Sequence, residues 1–137
     1  MAHKILCAVD GTKHSDRAIG LASEMASKLK SDLTIASVNV VVSGGRGPMI
    51  SSKDDSDVEK MLSAAVQAAA AAGATNVKHV LLRSREAASG IVAYAEEGHY
   101  DIIVTGTGDK SGLQKLVLGS VAADIAGRAH CTVIIAR

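Results

Sequence analysis

The chain has 137 residues, the size of one ordinary domain, and its 47% apolar content is enough for a single hydrophobic core. Aromatic residues make up only 1%, with two Tyr and no Phe or Trp, so the core must be built from Val, Ile, Leu and Ala, and the shortage argues against single-stranded nucleic-acid binding, which usually stacks bases on aromatic rings. A formal net charge of +1 leaves no basic footprint for DNA or RNA, and no apolar run approaches the ~20 residues that span a bilayer.

The amino terminus, MAHKILCAVDG, carries no long apolar segment with a cleavage site and is read as lacking a signal peptide. A first strand is predicted over Lys4–Val9, where the nearly continuous apolar run suits a strand covered on both faces. Asp10-Gly11-Thr12 breaks it. Ser15 is the expected N-cap of a helix with Ala18, Ile19, Ala22, Met25, Ala26 and Leu29 on one face. A second strand follows over Asp32–Val41. Residues 42–57, VSGGRGPMISSKDDSD, hold the only proline, Pro48, and read as a long mobile loop that folds over a neighbouring site. Within it, Lys53-Asp54-Asp55 reads as a soluble loop tip, with metal contact as the alternative.

The alanine-rich stretch from Val58 to Ala72 is predicted helical, with Met61, Leu62, Ala65 and Val66 at helical spacing and Gly73 as the stop. A strand over Val77–Leu82, a helix over Glu86–Glu97 with Ile91, Tyr94 and Ala95 inward, and a strand over Asp101–Thr105 come next. A glycine-rich loop, a helix from Ser120 and a last strand over Thr132–Ala136 complete the chain. Cys7 and Cys131 lie in or beside strand-like runs, without C-x-x-C or zinc spacing. They read as buried free thiols of a reducing cytoplasm.

Strands alternating with helices imply right-handed crossovers and a parallel sheet covered on both faces, in one domain over residues 1–137. Ligands of such sheets bind beyond the carboxyl ends of the strands, where the strand order reverses. The turn after Val9, the end of the second strand near Val38 and the loop from Gly106 should converge there.

That loop, GTGDKSGLQKLVLGS, matches neither established phosphate motif. Asp109 precedes Lys110, which breaks the Walker A pattern, and Gly106, Gly108 and Gly112 do not fit G-x-G-x-x-G. The physical ingredients of an anion site are still present. Gly106 and Gly108 permit close backbone approach, and Gly119-Ser120 opens a helix whose free N–H groups attract anions. On these residues alone two readings stay open: a phosphate-binding loop, or glycines that merely turn the chain before a Ser120 cap.

The segment resembles the signature of the universal stress protein family: Gly, two residues, Gly, nine residues, then Gly-Ser or Gly-Thr. Here the first glycine is Gly106 and the final pair is Gly119-Ser120. ILCAVDGTKHSDRAIGLA is similar to the family's opening strand and helix, LTIASVNVV to its second strand, and the last third to its close. The resemblance implies a doubly wound sheet of five parallel strands in the order 3-2-1-4-5, a cytoplasmic homodimer, and in some members ATP binding. It places Asp10 at the ribose, with Ala8, neighbouring Val9 and Val38 along the adenine. Gly106 falls by the ribose and first phosphate, with Gly108 and Asp109 among the binding residues, and Gly119, Ser120 and Val121 offer donors to the phosphates. The second signature glycine falls at Asp109, a departure that adds negative charge beside the outer phosphates, although a carboxylate there can also help hold Mg²⁺.

Among the five histidines only His14 lies near another ligand type, Asp10, around a turn, and all five read as solvated rather than metal-binding. Ser120 is no nucleophile elbow, because G-x-S-x-G is absent. Lys110 and Lys115 read either as lying near the expected phosphates or as a solvated face, and no acid–base pair emerges. The leading expectation is therefore a cytoplasmic protein that binds ATP, ADP or AMP and regulates stress responses through an unidentified protein partner, with no nucleic acid and no membrane. The alternatives are a nucleotide-free interaction protein of the same fold, because of Asp109, and a weak ATPase or autokinase. The final strand, Thr132–Ala136, is apolar, uncharged and at one predicted sheet edge, so it is expected to pair two copies antiparallel.

Overall fold

The computed structural model describes residues 3–43, 47–108 and 118–137. In chain order these form β1 (Lys4–Ala8), α1 (Lys13–Leu29), β2 (Asp32–Ser43), β3 (Met49–Ser51), α2 (Asp55–Ala71), β4 (Val77–Ser84), α3 (Ala87–Glu97), β5 (Ile102–Gly106), α4 (Ser120–Arg128) and β6 (Thr132–Ala136).

After Lys4 at its start, β1 is apolar from Ile5 to Ala8, because both its faces are covered there. Ile5 and Cys7 enter one core beneath α1 and α2, with Ala18, Ile19, Leu62 and Ala65. Leu6 and Ala8, pointing the other way, enter a second core beneath α3 and α4, with Ile91, Ala95 and Ile125. Alternation along a strand sends successive side chains to opposite faces. Four successive apolar positions, Ile5–Ala8, therefore require helices on both sides. Aliphatic side chains fill both cores, as the shortage of aromatics demands; Tyr100 joins the second and donates its hydroxyl to Thr34 Oγ1 at 2.8 Å.

The parallel strands lie in the order β4-β2-β1-β5-β6. The sheet nevertheless has six strands and is mixed, where the sequence suggested five and all parallel. The added strand is β3, which pairs antiparallel with the last residues of β2, Val41↔Ser51 through Ser43↔Met49. Part of the segment read as a loop is thus the return arm of a hairpin. β-Branched residues on both arms favour extended backbone. β2 also runs beyond Val40, the last of its residues paired with β4, and so offers its free backbone groups to β3.

Several element ends differ from expectation for local reasons. α1 starts at Lys13 with Thr12 at the N-cap, because the Ser15 hydroxyl is engaged by Asp10 instead. Leu29, expected on the buried face, is 40% exposed at the last turn, where Lys30 leaves the helix in the left-handed region (φ 51°). α2 begins before Val58, because the Asp54 carboxylate accepts from the Ser56 amide at 3.0 Å and caps it there. Cys7 is wholly buried, and desolvation pushes its thiol up to about 12. Cys131, expected to be buried as well, is only half-buried, since it precedes the edge strand β6. No helix among the described residues is long and apolar enough to cross a membrane.

Candidate functional site

A cleft enclosing about 600 Å³, part of it open solvent, lies beyond the carboxyl ends of β1 and β5 and against Ser37 and Val38 in the middle of β2. Here the chain order switches direction: β1 is followed by β2 on one side, while β5 lies on the other. The splayed crossovers leave the cleft between them.

Its polar corner is built by the turn after β1. Asp10 accepts three hydrogen bonds on Oδ1: from the Thr12 amide at 2.9 Å, the Thr12 hydroxyl at 2.7 Å and the Ser15 hydroxyl at 2.7 Å. Ser15 Oγ in turn accepts from the Asp10 amide at 2.9 Å. Gly11 makes the turn possible with φ +84°. Desolvation by itself would raise the Asp10 carboxyl. The hydrogen bonds from Ser15 and Thr12, with the charge of Lys53, outweigh it and hold the group below the usual carboxylate range.

The adjoining wall is the exit of β5. A Cβ on Gly106 would stand 2.5 Å from the carbonyl oxygen of His14, so only glycine lets β5 pass beneath the first turn of α1. Thr107 Oγ1 lies 3.4 Å from His14 Nδ1 and ties the same two segments. The next approach is also backbone to backbone. Gly119 donates its amide to the Thr107 carbonyl at 2.7 Å, and a Cβ on Gly119 would fall 2.8 Å from that oxygen. The start of α4 is thereby fastened to the β5 exit. Ala8, Val38, Ala87, Ile91, Val121 and Ala122 make an apolar slot facing the Asp10 corner, with Val121 41% exposed.

Of the residues singled out in the sequence, Ala8, Val9, Asp10, Val38, Gly106, Gly108 and Val121 line the cleft. Gly119 is buried behind Gly108 rather than lining it. Ser120 is the exposed first residue of α4, and the N-cap position belongs to Gly119. Asp109, Lys110 and Lys115 lie outside the described residues. Lys53-Asp54-Asp55 is no simple loop tip: Lys53 lines the cleft, Asp54 caps α2 and Asp55 pairs with Arg83. Among the described residues no group of His, Cys, Asp and Glu is arranged to hold a metal ion.

Sequence reasoning missed His14, Ser15, Ser37, Lys53 and Thr105 as lining residues. The spacing Asp10-x-Thr12-x-x-Ser15 did carry a signal, since short hydroxyl side chains just past an aspartate form local turns with its carboxylate. Nothing in the sequence pointed to Lys53, which reaches the cleft from the far end of a hairpin.

Fold and cleft together define a doubly wound α/β protein, a class whose small-molecule sites sit at the switch point. The sequence profile of the Universal stress protein family matches residues 1–137, and the chain belongs to that family. A protein of Staphylococcus haemolyticus bearing the universal stress protein name is 30% identical over 139 residues, covering 97% of this chain and 83% of that one. A universal stress protein of Methanocaldococcus jannaschii is 44% identical over 50 residues, a match spanning 36% of this chain and 29% of that protein. Among solved structures, a universal stress protein in complex with cAMP superposes with a TM-score of 0.80 at 25% identity, covering 99% of this chain and 97% of its own. The universal stress protein from Archaeoglobus fulgidus in complex with dAMP gives a TM-score of 0.76 at 25% identity, covering 98% of each chain.

Proposed function

We propose that this protein binds an adenine nucleotide in the cleft and uses the bound state to regulate a protein partner. The observation that carries the reading is the division of labour within Asp10. Three donors converge on Oδ1, and Oδ2 accepts from none among the described residues. A carboxylate held ionised in this way offers one fixed acceptor to a sugar hydroxyl. The apolar slot from Ala8 and Val38 to Ile91 and Val121 suits the faces of a purine. Relatives solved with cAMP and dAMP support an adenine ligand. Phosphates would extend toward the amino terminus of α4, where unpaired amides favour anions.

The direct experiment is to denature the purified protein and measure released absorbance at 260 nm, followed by calorimetry with AMP and ATP. Two tyrosines and no tryptophan leave the protein's own absorbance low, so a bound adenine stands out. Absence of copurified ligand together with absence of calorimetric binding overturns the reading in favour of a nucleotide-free interaction protein, which Asp109 in the signature's second glycine position favours.

We further propose a twofold homodimer through β6. The two edges of the parallel sheet differ in chemistry. β4 carries Lys78, His79 and Arg83, whereas β6, TVIIA, carries no charge and no proline. Charges on an edge strand block pairing, and their lack permits it.

A further inference from the structure

We propose that Lys53 makes the cleft prefer phosphorylated adenine ligands over the bare nucleoside, and that buried Asn39 is the positioning residue that holds it there. The inference rests on the adenine-nucleotide reading above.

Asn39 lies on β2 and is 0% exposed. Its amide nitrogen donates to the Lys53 carbonyl at 2.9 Å and to Asp55 Oδ1 at 2.8 Å. Its oxygen accepts from the Lys53 amide at 3.1 Å and lies 3.5 Å from the Ser52 hydroxyl. Both backbone polar groups of Lys53 are thus bonded to one buried side chain. The flanking residues are tied as well. The Ser52 amide donates to the Val40 carbonyl at 2.7 Å, Asp54 caps α2, and Asp55 pairs with Arg83 of β4. A buried amide is costly unless its hydrogen bonds are met. Meeting them here sets where residue 53 leaves the sheet.

The chemistry follows from charge. Among the described residues lining the cleft, Lys53 is the one permanent cation and Asp10 the one carboxylate. With the sugar at Asp10, the phosphate of the same nucleotide stays within Coulombic range of that carboxylate and needs compensation. The Lys53 ammonium, a compact charge with three donors, supplies it. An uncharged nucleoside feels little of either. The cleft therefore discriminates by ligand charge as well as by shape.

Calorimetry with AMP and with adenosine on the full chain tests this, comparing wild type with Lys53→Gln, Lys53→Arg and Asn39→Ala. In Lys53→Gln the AMP-over-adenosine affinity ratio should fall about fivefold, the upper end for one exposed charge pair. Lys53→Arg should restore most of it. Asn39→Ala should lower the ratio with Lys53 still present, an effect that general loosening of the fold does not produce. If Asn39→Ala does not fold, Asn39→Thr suits a strand yet cannot bridge both sides of residue 53. An unchanged ratio in Lys53→Gln, or a wild type that binds both ligands equally, overturns the Lys53 assignment. A ratio that falls in Lys53→Gln but not in the Asn39 variants overturns the positioning role. A wild type that binds neither ligand overturns the adenine reading itself.

Discussion

The Ser15 hydroxyl stands between the two polar ends of Asp10, accepting from its amide at 2.9 Å and donating to its carboxylate at 2.7 Å. Ser15 is buried, and it belongs to α1 while Asp10 belongs to the turn after β1. One hydroxyl therefore orients the carboxylate and joins strand to helix. Ser15→Ala takes the acceptor from the Asp10 amide and a donor from its carboxylate, in part-buried hydrogen bonds, and should destabilise the fold by about 1 kcal/mol. It should also weaken adenine-nucleotide binding, because Asp10 loses a donor that keeps it ionised and in place. Urea unfolding reads the first effect and calorimetry with AMP the second.

Asp10 makes stability depend on acid. Its folded carboxyl lies below the ordinary value, so the unfolded chain binds the proton more readily. The contribution is present above the unfolded value of about 3.9 and is lost as pH falls through the folded one. Between pH 6 and pH 3, wild-type stability should fall more steeply than that of Asp10→Asn. Urea midpoints of the two proteins across this range give the comparison, and parallel curves would refute the coupling.

Gly106 tolerates no side chain. Ala at this position drives Cβ against the His14 carbonyl, 2.5 Å away, and neither segment is a flexible side-chain end that can swing aside. Gly106→Ala should cost about 2 kcal/mol or more through forced backbone displacement. It should also lower nucleotide affinity, since α1's first turn and the β5 exit adjoin in the lining of one cleft. Thermal unfolding and calorimetry measure the two losses. The control Gly20→Ala, with no atom near its added Cβ and a helical position, should be neutral or slightly stabilising.

The dimer prediction is tested at β6. Ile134→Pro removes a backbone N–H from β6, and Val133→Lys places a charge on the same strand. Ile134→Pro should give monomers or misfolding, and Val133→Lys monomers, by light scattering at micromolar concentration where the wild type gives dimers. A monomeric wild type would refute the interface.

For Asp109 the expectation rests on charge alone. Asp109→Gly should improve metal-free ATP affinity more than AMP affinity, because ATP carries more negative charge to be repelled. Mg²⁺ should narrow the difference by screening the phosphates. Equal responses of AMP and ATP in calorimetry would show that the carboxylate does not sense the outer phosphates.

The sequence by itself determined the parts of this protein that depend on local pattern. β6 spans Thr132–Ala136 as read, because an uninterrupted apolar run between polar ends leaves little choice of boundary. The doubly covered β1, the alternation of strands with helices and the gathering of Asp10, Val38 and Gly106 at one end of the sheet also follow from period and order alone. Tertiary structure decided whatever depends on distant partners. β3 exists as a strand because β2 overruns β4 and offers it backbone bonds. Ser15 serves Asp10 instead of capping α1. Lys53 faces the cleft because Asn39, 14 residues earlier, grips its peptide groups. Thr107 meets His14 across a separation of 93 residues. Local propensity acts over a few residues, whereas a site assembled from the ends of several strands is specified only once the whole sheet has fixed their neighbours.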